Sequence, residues 1–168
     1  MNLFPIRAFD LVPDPVADDA LAAWGHWLGP CNRPFGRQSW ALTLHGEILA
    51  AAVSASTVNA TCGGYPRTDV VELARLCAHP GHRELTRVAL RLWRVVAPDA
   101  WAARYWPVRA LVSYATAARH RGDIYRFDGW RKLANLRPSG GGGTWSRPRH
   151  PGDRKTLWAF DLTKAARA

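Results

Sequence analysis

The sequence predicts a single α/β domain, and three stretches carry that prediction. Residues 110–130 switch from alternating to helical spacing and back, which is the pattern of strand, helix, strand. The apolar run 70–78 is followed, after a short turn, by a long amphipathic segment, again a strand leading into a helix. Residues 37–56 alternate into and out of His45-Gly46, the signature of a β-hairpin. With 168 residues the chain can bury one substantial core but not two comfortable ones, so one domain over 1–168 is expected.

In chain order, residues 4–11 read as an opening strand closed by Pro13 and Pro15. Residues 17–28 place Ala20, Leu21, Trp24, Trp27 and Leu28 at helical spacing, with Asp18 and Asp19 in a first turn that suits carboxylates, and Gly29-Pro30 end the helix. His26 reads as a surface or helix-end residue, because no second ligand stands at metal spacing. After the hairpin, 57–67 contains Cys62-Gly63-Gly64-Tyr65-Pro66-Arg67, either an ordinary turn or a loop that brings an aromatic and a phosphate partner to a ligand.

The strand 70–78 is expected to carry Val71, Leu73 and Cys77 on one side and Glu72, Ala74, Leu76 and Ala78 on the other. In the helix that follows, Leu85, Val88, Ala89, Leu92, Val95 and Val96 form the expected apolar face, with Pro98 as its stop. Arg83, Arg87, Arg91 and Arg94 line a basic, solvated stripe opposite it. Strand, turn and helix N-terminus together make an anion site, since backbone N–H groups and the positive end of the dipole converge there. Residues 110–115 read as a buried parallel strand, 116–127 as a helix stopped by Gly129, and 156–162 as the closing strand.

The charge is the outstanding feature of the composition. Lys and Arg number 23 against 13 Asp and Glu, a net +10 with a pI near 10.5, and most of the cations are Arg. An Arg surplus suits nucleic acid or another polyanion, and equally accompanies a GC-rich codon bias with plain solubility. The surplus is concentrated in 131–155, which holds seven Lys or Arg and one Asp around four consecutive Gly. A flexible basic loop is expected at about 137–154, with Trp145, Arg147 and Arg149 placed to hold phosphates and stack on a base. Three scattered Cys argue against a disulfide framework and a zinc cluster, and no His spacing supports another metal. No signal peptide or membrane-length apolar run is seen, so a cytoplasmic protein is expected. Hydrolase, zinc-protease and P-loop motifs are absent.

Tyr125 stands at a fixed offset before Gly129-Trp130, after a strand and short helix, and in this the chain resembles the second half of the GNAT acyltransferase fold. Val112-Ser113-Tyr114-Ala115-Thr116 followed by His120-Arg121-Gly122-Asp123-Ile124-Tyr125 is similar, more narrowly, to the phage Mom-like DNA-modification branch. The resemblance covers roughly residues 70 to 135. Thr116 stands where that branch carries an acidic residue, and Phe127 where it carries Ala.

The resemblance implies a mixed, mostly antiparallel sheet splayed near its centre and flanked by helices. It implies acetyl-CoA or another acyl-CoA in the splay, with Leu76, Cys77 and Ala78 along the pantetheine and Arg83, Thr86 and Arg87 at the phosphates. Pro80 and Arg83 match the family's phosphate turn, whereas Thr86 and Val88 stand where it has small residues. Tyr125 would protonate the leaving thiolate. Ser113 and Tyr114 lie at the carboxyl end of their strand, where open α/β sheets place ligands, and Glu72 and His120 are further groups able to move a proton. Arg119 and Arg121 are expected polyanion contacts. The implied function is acyl transfer from CoA to an amine of a nucleic-acid base. The alternatives are a GNAT acting on a small amine or a protein, and a non-catalytic DNA-binding scaffold.

Overall fold

A computed structural model of the chain describes residues 7–116, 119–136 and 154–165. Strand β1 (Arg7–Val12) leads through helix α1 (Asp14–Ala23) to a hairpin of β2 (Arg37–Leu44) and β3 (Glu47–Ala55). The hairpin turns on His45 and Gly46, both at positive φ (51° and 86°), the geometry that matches the twist of the flanking strands. Helix α1 begins earlier than the spacing implies, because Pro15 falls in its first turn, where a missing N–H costs nothing. It also ends earlier. Gly25 takes φ 65° just past Trp24, so Trp27 and Leu28 lie in the following loop and not on the helix.

Two short strands, β4 (Thr61–Cys62) and β5 (Tyr65–Pro66), make a small hairpin around Gly63-Gly64. A Cβ on Gly63 would lie 2.6 Å from Leu133 Cδ1 and 2.8 Å from Leu157 Cδ2, so this turn is pressed against the far strands of the sheet. Strand β6 (Val70–Ala78) then pairs antiparallel with β3. Its register shifts where Ser54 opposes Leu73 and Val53 opposes Arg75, leaving Ala74 as an extra residue. The bulge reverses the alternation beyond it. Leu76 and Ala78 therefore join Val71 and Leu73 in packing toward the long helix, and Cys77 moves to the α1 side with Ala74, the opposite of the simple alternation expected.

That helix, α2 (Leu85–Arg104), runs through Pro98 instead of stopping there. Its buried face is Ala89, Leu90, Trp93, Ala97 and Trp101, whereas Val88 and Val95 are exposed. Burial of two indoles outweighs that of two valines, and the apolar stripe rotates accordingly. The Arg stripe is not simply solvated either. Asp128 pairs with Arg94 Nε at 2.9 Å and Arg91 Nε at 3.1 Å, and Arg94 also lies over the Phe160 ring.

The remaining elements are β7 (Ala110–Thr116), α3 (Asp123–Phe127), β8 (Arg131–Leu136), β9 (Lys155–Asp161) and a final turn, α4 (Leu162–Ala165). Thr116 stays in β7 because it continues the ladder opposite Lys155, and α3 starts only at Asp123, after Gly122 at φ 78°. The helix over 116–127 is thus reduced to its last five residues. A Cβ on Gly122 would lie 2.5 Å from Trp158 Nε1, so glycine lets this turn sit on the indole. The sheet order is β1-β2-β3-β6-β7-β9-β8, antiparallel throughout except for the parallel β6–β7 pair. Helix α2 covers one face over a core of Trp93, Trp101, Leu111, Tyr125, Trp130 and Trp158, and α1 covers the other over Val53, Ala55 and Ala74.

Candidate active site at the strand divergence

The parallel ladder between β6 and β7 runs from Val70↔Ala110 to Leu73↔Ser113 and ends there. Beyond it both strands continue, β6 to Ala78 and β7 to Thr116, without pairing to one another. The Ala74 bulge sits at the point of separation, where extra twist bends β6 away from its neighbour. The result is a wedge-shaped opening in the middle of the sheet, flanked by Leu76, Cys77 and Ala78 on one side and by the end of β7 on the other.

On the α2 face, at the apex of the wedge, Ser113 Oγ donates to Leu73 O at 3.0 Å and lies 2.8 Å from the Tyr125 hydroxyl. Since the serine has a single proton, given to Leu73, Tyr125 is the donor in the second bond. Tyr125 is buried between Trp130 and Trp158. Burial pushes its pKa up to about 12, against the pull of the Ser113 bond, so the phenol keeps its proton at neutral pH. Trp158 Nε1 is itself buried with no partner among the described residues.

On the opposite face stands Glu72, 3 % exposed, one residue before the end of the ladder. Arg33, from the loop between α1 and β2, places Nη2 2.7 Å from its Oε1. Burial raises the Glu72 carboxyl above its usual range, against the attraction of Arg33, Arg75 and Lys155. Tyr114 is on this face too. Its hydroxyl bonds to Cys62 Sγ at 3.1 Å, and burial drives its pKa far upward. Ser113 and Tyr114 are therefore not brought together, because adjacent strand residues point to opposite faces: Ser113 joins Tyr125, and Tyr114 joins Cys62 near Glu72.

At the carboxyl end of β6 the chain turns through Pro80–His82 into α2. His79 Nδ1 accepts from Gly81 N at 3.1 Å, and Thr86 N donates to Arg83 O at 3.2 Å. No side chain caps α2, and its first turn carries no acidic residue. Its N-terminal amides are open to an external anion, with Arg83 and Arg87 exposed beside them and Thr86 partly covered, while the N-cap Glu84 turns toward His82, 3.6 Å away. Arg119, His120 and Arg121 are exposed on the turn after β7. Arg119 lies over the Trp27 ring, at 5.6 Å, so this turn meets the loop after α1 and not Tyr125. Trp145, Arg147 and Arg149 lie outside the described residues, as does most of the expected basic loop at 137–154.

Sequence reasoning missed Arg33 and Asp128. Arg33 lies 39 residues from Glu72, and no local spacing connects them. Asp128 is legible only as the acidic residue beside Gly129-Trp130, and its partners come from another helix. Among the described residues no group of His, Cys, Asp or Glu is arranged to hold a metal ion, and no helix is long and apolar enough to cross a membrane.

No family model and no curated protein matches the sequence. Solved structures do. The GNAT domain of S. lividans PAT superposes with a TM-score of 0.54 at 15% identity, over 94% of this chain and 97% of that one. Mutant forms of the spermidine/spermine N-acetyltransferase SpeG from Vibrio cholerae give 0.61 at 7% identity, over 96% and 98%. An acetyltransferase from Thermus thermophilus gives 0.52 at 17% identity, over 92% and 97%. At such identities the likeness establishes the GNAT fold, the mixed seven-stranded sheet with its central divergence, over nearly the whole chain.

Proposed function

We propose that the chain is a GNAT-type N-acyltransferase that moves an acyl group from an acyl-CoA to an amine. The observation that carries this reading is the divergence of β6 from β7, with titratable groups on both of its faces and an uncapped helix N-terminus at its open end. The residues fit acyl-CoA: edge backbone of Leu76, Cys77 and Ala78 for the pantetheine, and the α2 N-terminus with Arg83, Thr86 and Arg87 for the phosphates. Bound there, acyl-CoA supplies the thioester at the apex of the wedge. Glu72, with its raised pKa, takes the proton from the incoming ammonium on one face. Tyr125, held neutral, turns its proton from Ser113 to the departing sulfur on the other, and Ser113, turning its own proton from Leu73 O to the phenol oxygen, keeps the phenol in position. A C–N bond forms and the C–S bond breaks; of the two protons that the ammonium loses, Glu72 takes the first and releases it to solvent, and the second replaces the one that Tyr125 gives to sulfur. His120 and Tyr114 have no contact that gives them a part in these steps.

Calorimetric titration with acetyl-CoA and with CoA tests the reading. Micromolar binding, weakened in an Arg83→Ala, Arg87→Ala variant, supports it; no binding by either nucleotide refutes it.

The net charge of +10 and the exposed Arg119 and Arg121 favour a second reading, in which the amine belongs to a nucleic-acid base. The spermidine/spermine N-acetyltransferase among the structural neighbours favours a small amine instead. Duplex and single-stranded DNA binding that falls steeply with salt, together with added acyl mass on the DNA, selects the base; transfer to free amines with no DNA affinity selects the small acceptor. DNA binding without any CoA binding would leave the non-catalytic scaffold.

A further inference from the structure

Glu72 and Arg33 pair in an unusual way for a buried ion pair. A carboxylate that is 3 % exposed ordinarily has all its lone pairs engaged, because an unmet charge in the interior is costly. Glu72 Oε1 has Arg33, and Oε2, which makes no hydrogen bond among the described residues, is not sealed in the interior but open at the surface. Arg33 has donors to spare at the surface. Its half-buried guanidinium uses one Nη2 donor on Glu72, and none of its other donors makes a hydrogen bond among the described residues. The pair lies beside the divergence of β6 and β7, on the face opposite Tyr125, and Arg33 reaches it from a loop and not from the sheet.

The charges around Glu72 do not balance. Arg33, Arg75 and Lys155 all act on Glu72; Arg75, 7 % exposed with its guanidinium on the Gly29 and Pro30 carbonyls, also faces Asp18, but that carboxylate is already bound by Arg37. Extending the acyl-transfer reading, we propose that Arg33 and Glu72 are the two poles of an acceptor site for an amine that also carries an anionic group, a carboxylate or a phosphate. The ammonium goes to Glu72 and the anion to Arg33. In the free protein each pole stands in for the ligand group that the other would receive.

The reasoning is an exchange argument. A simple amine bound at the open Oε2 would make Glu72 share its single charge between the ammonium and Arg33, leaving the guanidinium under-compensated beside Arg75. A polycation would add further positive charge to a site that already has a surplus. A zwitterionic amine replaces one ion pair by two, so no charge is stranded at any stage. The planar fork of Arg33 also matches the two oxygens of a carboxylate or phosphate, which a lysine could not do.

The test uses three amines of similar size: n-propylamine, β-alanine and 2-aminoethylphosphonate. Each is titrated into the full-length protein and followed by ligand-observed NMR, with acetyl-CoA binding measured in parallel. At least one anionic amine is expected to bind about tenfold or more tightly than propylamine, and the tighter of the two identifies the anion. That preference should collapse in Arg33→Ala and be only partly kept in Arg33→Lys, which retains charge without the fork. Equal binding of all three amines by the wild-type protein, or a preference that survives intact in both variants, overturns the inference. The comparison in wild-type protein stands even if a variant fails to fold. Acetyl-CoA binding without the preference defeats this inference alone; the preference without acetyl-CoA binding supports the zwitterion site and defeats the transfer reading.

Discussion

The Ser113 Oγ and Tyr125 hydroxyl, 2.8 Å apart, close the apex of the wedge between β6 and β7. The bond couples the last residue of the parallel ladder to the only side chain of α3 that is buried. Removing the phenol oxygen with Tyr125→Phe should lower acyl transfer about 100-fold, the usual scale for a lost proton donor. Acetyl-CoA affinity should change little. Ser113→Ala should cost less, because the phenol stays wedged between Trp130 and Trp158. Steady-state kinetics beside calorimetry separates the effects, and a loss of CoA affinity in Tyr125→Phe would make the residue structural.

A second serine has a purely structural role. Ser54 Oγ accepts from Trp40 Nε1 at 3.1 Å and from Trp93 Nε1 at 2.8 Å, with the serine fully buried. Ser54→Ala leaves two indole N–H groups without an acceptor in the core. At about 1–3 kcal/mol for each orphaned donor, the substitution should destabilise the fold by about 2–6 kcal/mol in urea unfolding. A change under about 1 kcal/mol would mean that the indoles find other acceptors.

His26 makes the fold sensitive to mild acid. Burial, then the charges of Arg75 and His120, lowers its pKa from 6.5 to about 4. The native state therefore holds the neutral ring, whose Nδ1 accepts from Leu28 N at 3.3 Å, while the unfolded chain protonates near pH 6.5. Because the folded value is the lower one, this contribution is complete above pH 6.5 and is lost as the pH falls toward about 4. Thermal unfolding midpoints should fall through that window, and His26→Gln should flatten the profile; parallel profiles would show that carboxylates alone set the acid limb.

The order of strands and helices was legible because each rests on local periodicity: the 37–56 hairpin and Val70–Ala78 stand where the alternation puts them. What local pattern could not show is what depends on distant neighbours. The Ala74 bulge arises from pairing with β3, and it reverses the side chains of Leu76, Cys77 and Ala78. The start of α3 depends on Gly122 lying against Trp158, 36 residues away in sequence by their numbers. Tyr125 was identifiable from its offset before Gly129-Trp130 and the resemblance that offset carries, and Glu72 as a group able to move a proton, but Arg33 became visible only once the loop after α1 was folded over β6. Tyr114 was grouped with Ser113 by adjacency, which in a strand separates side chains instead of joining them.

The N-terminus of α2 supplies the last prediction. Its first turn makes no side-chain capping bond and carries no acidic residue, but Glu84 stands at the N-cap, so an anion there would face backbone dipoles with one carboxylate as well as the flanking cations. Thr86 partly fills the approach, and its amide is turned toward Arg83 O at 3.2 Å. Phosphate affinity must therefore lean on side chains, Arg83 and Arg87, more than on close backbone contact. Each of Arg83→Ala and Arg87→Ala should weaken CoA binding about three- to tenfold and make it less sensitive to salt. Thr86→Gly should strengthen binding, by opening the backbone to the phosphates. Calorimetry at two ionic strengths reads all three variants, and unchanged affinity in both arginine variants would move the phosphates away from this turn.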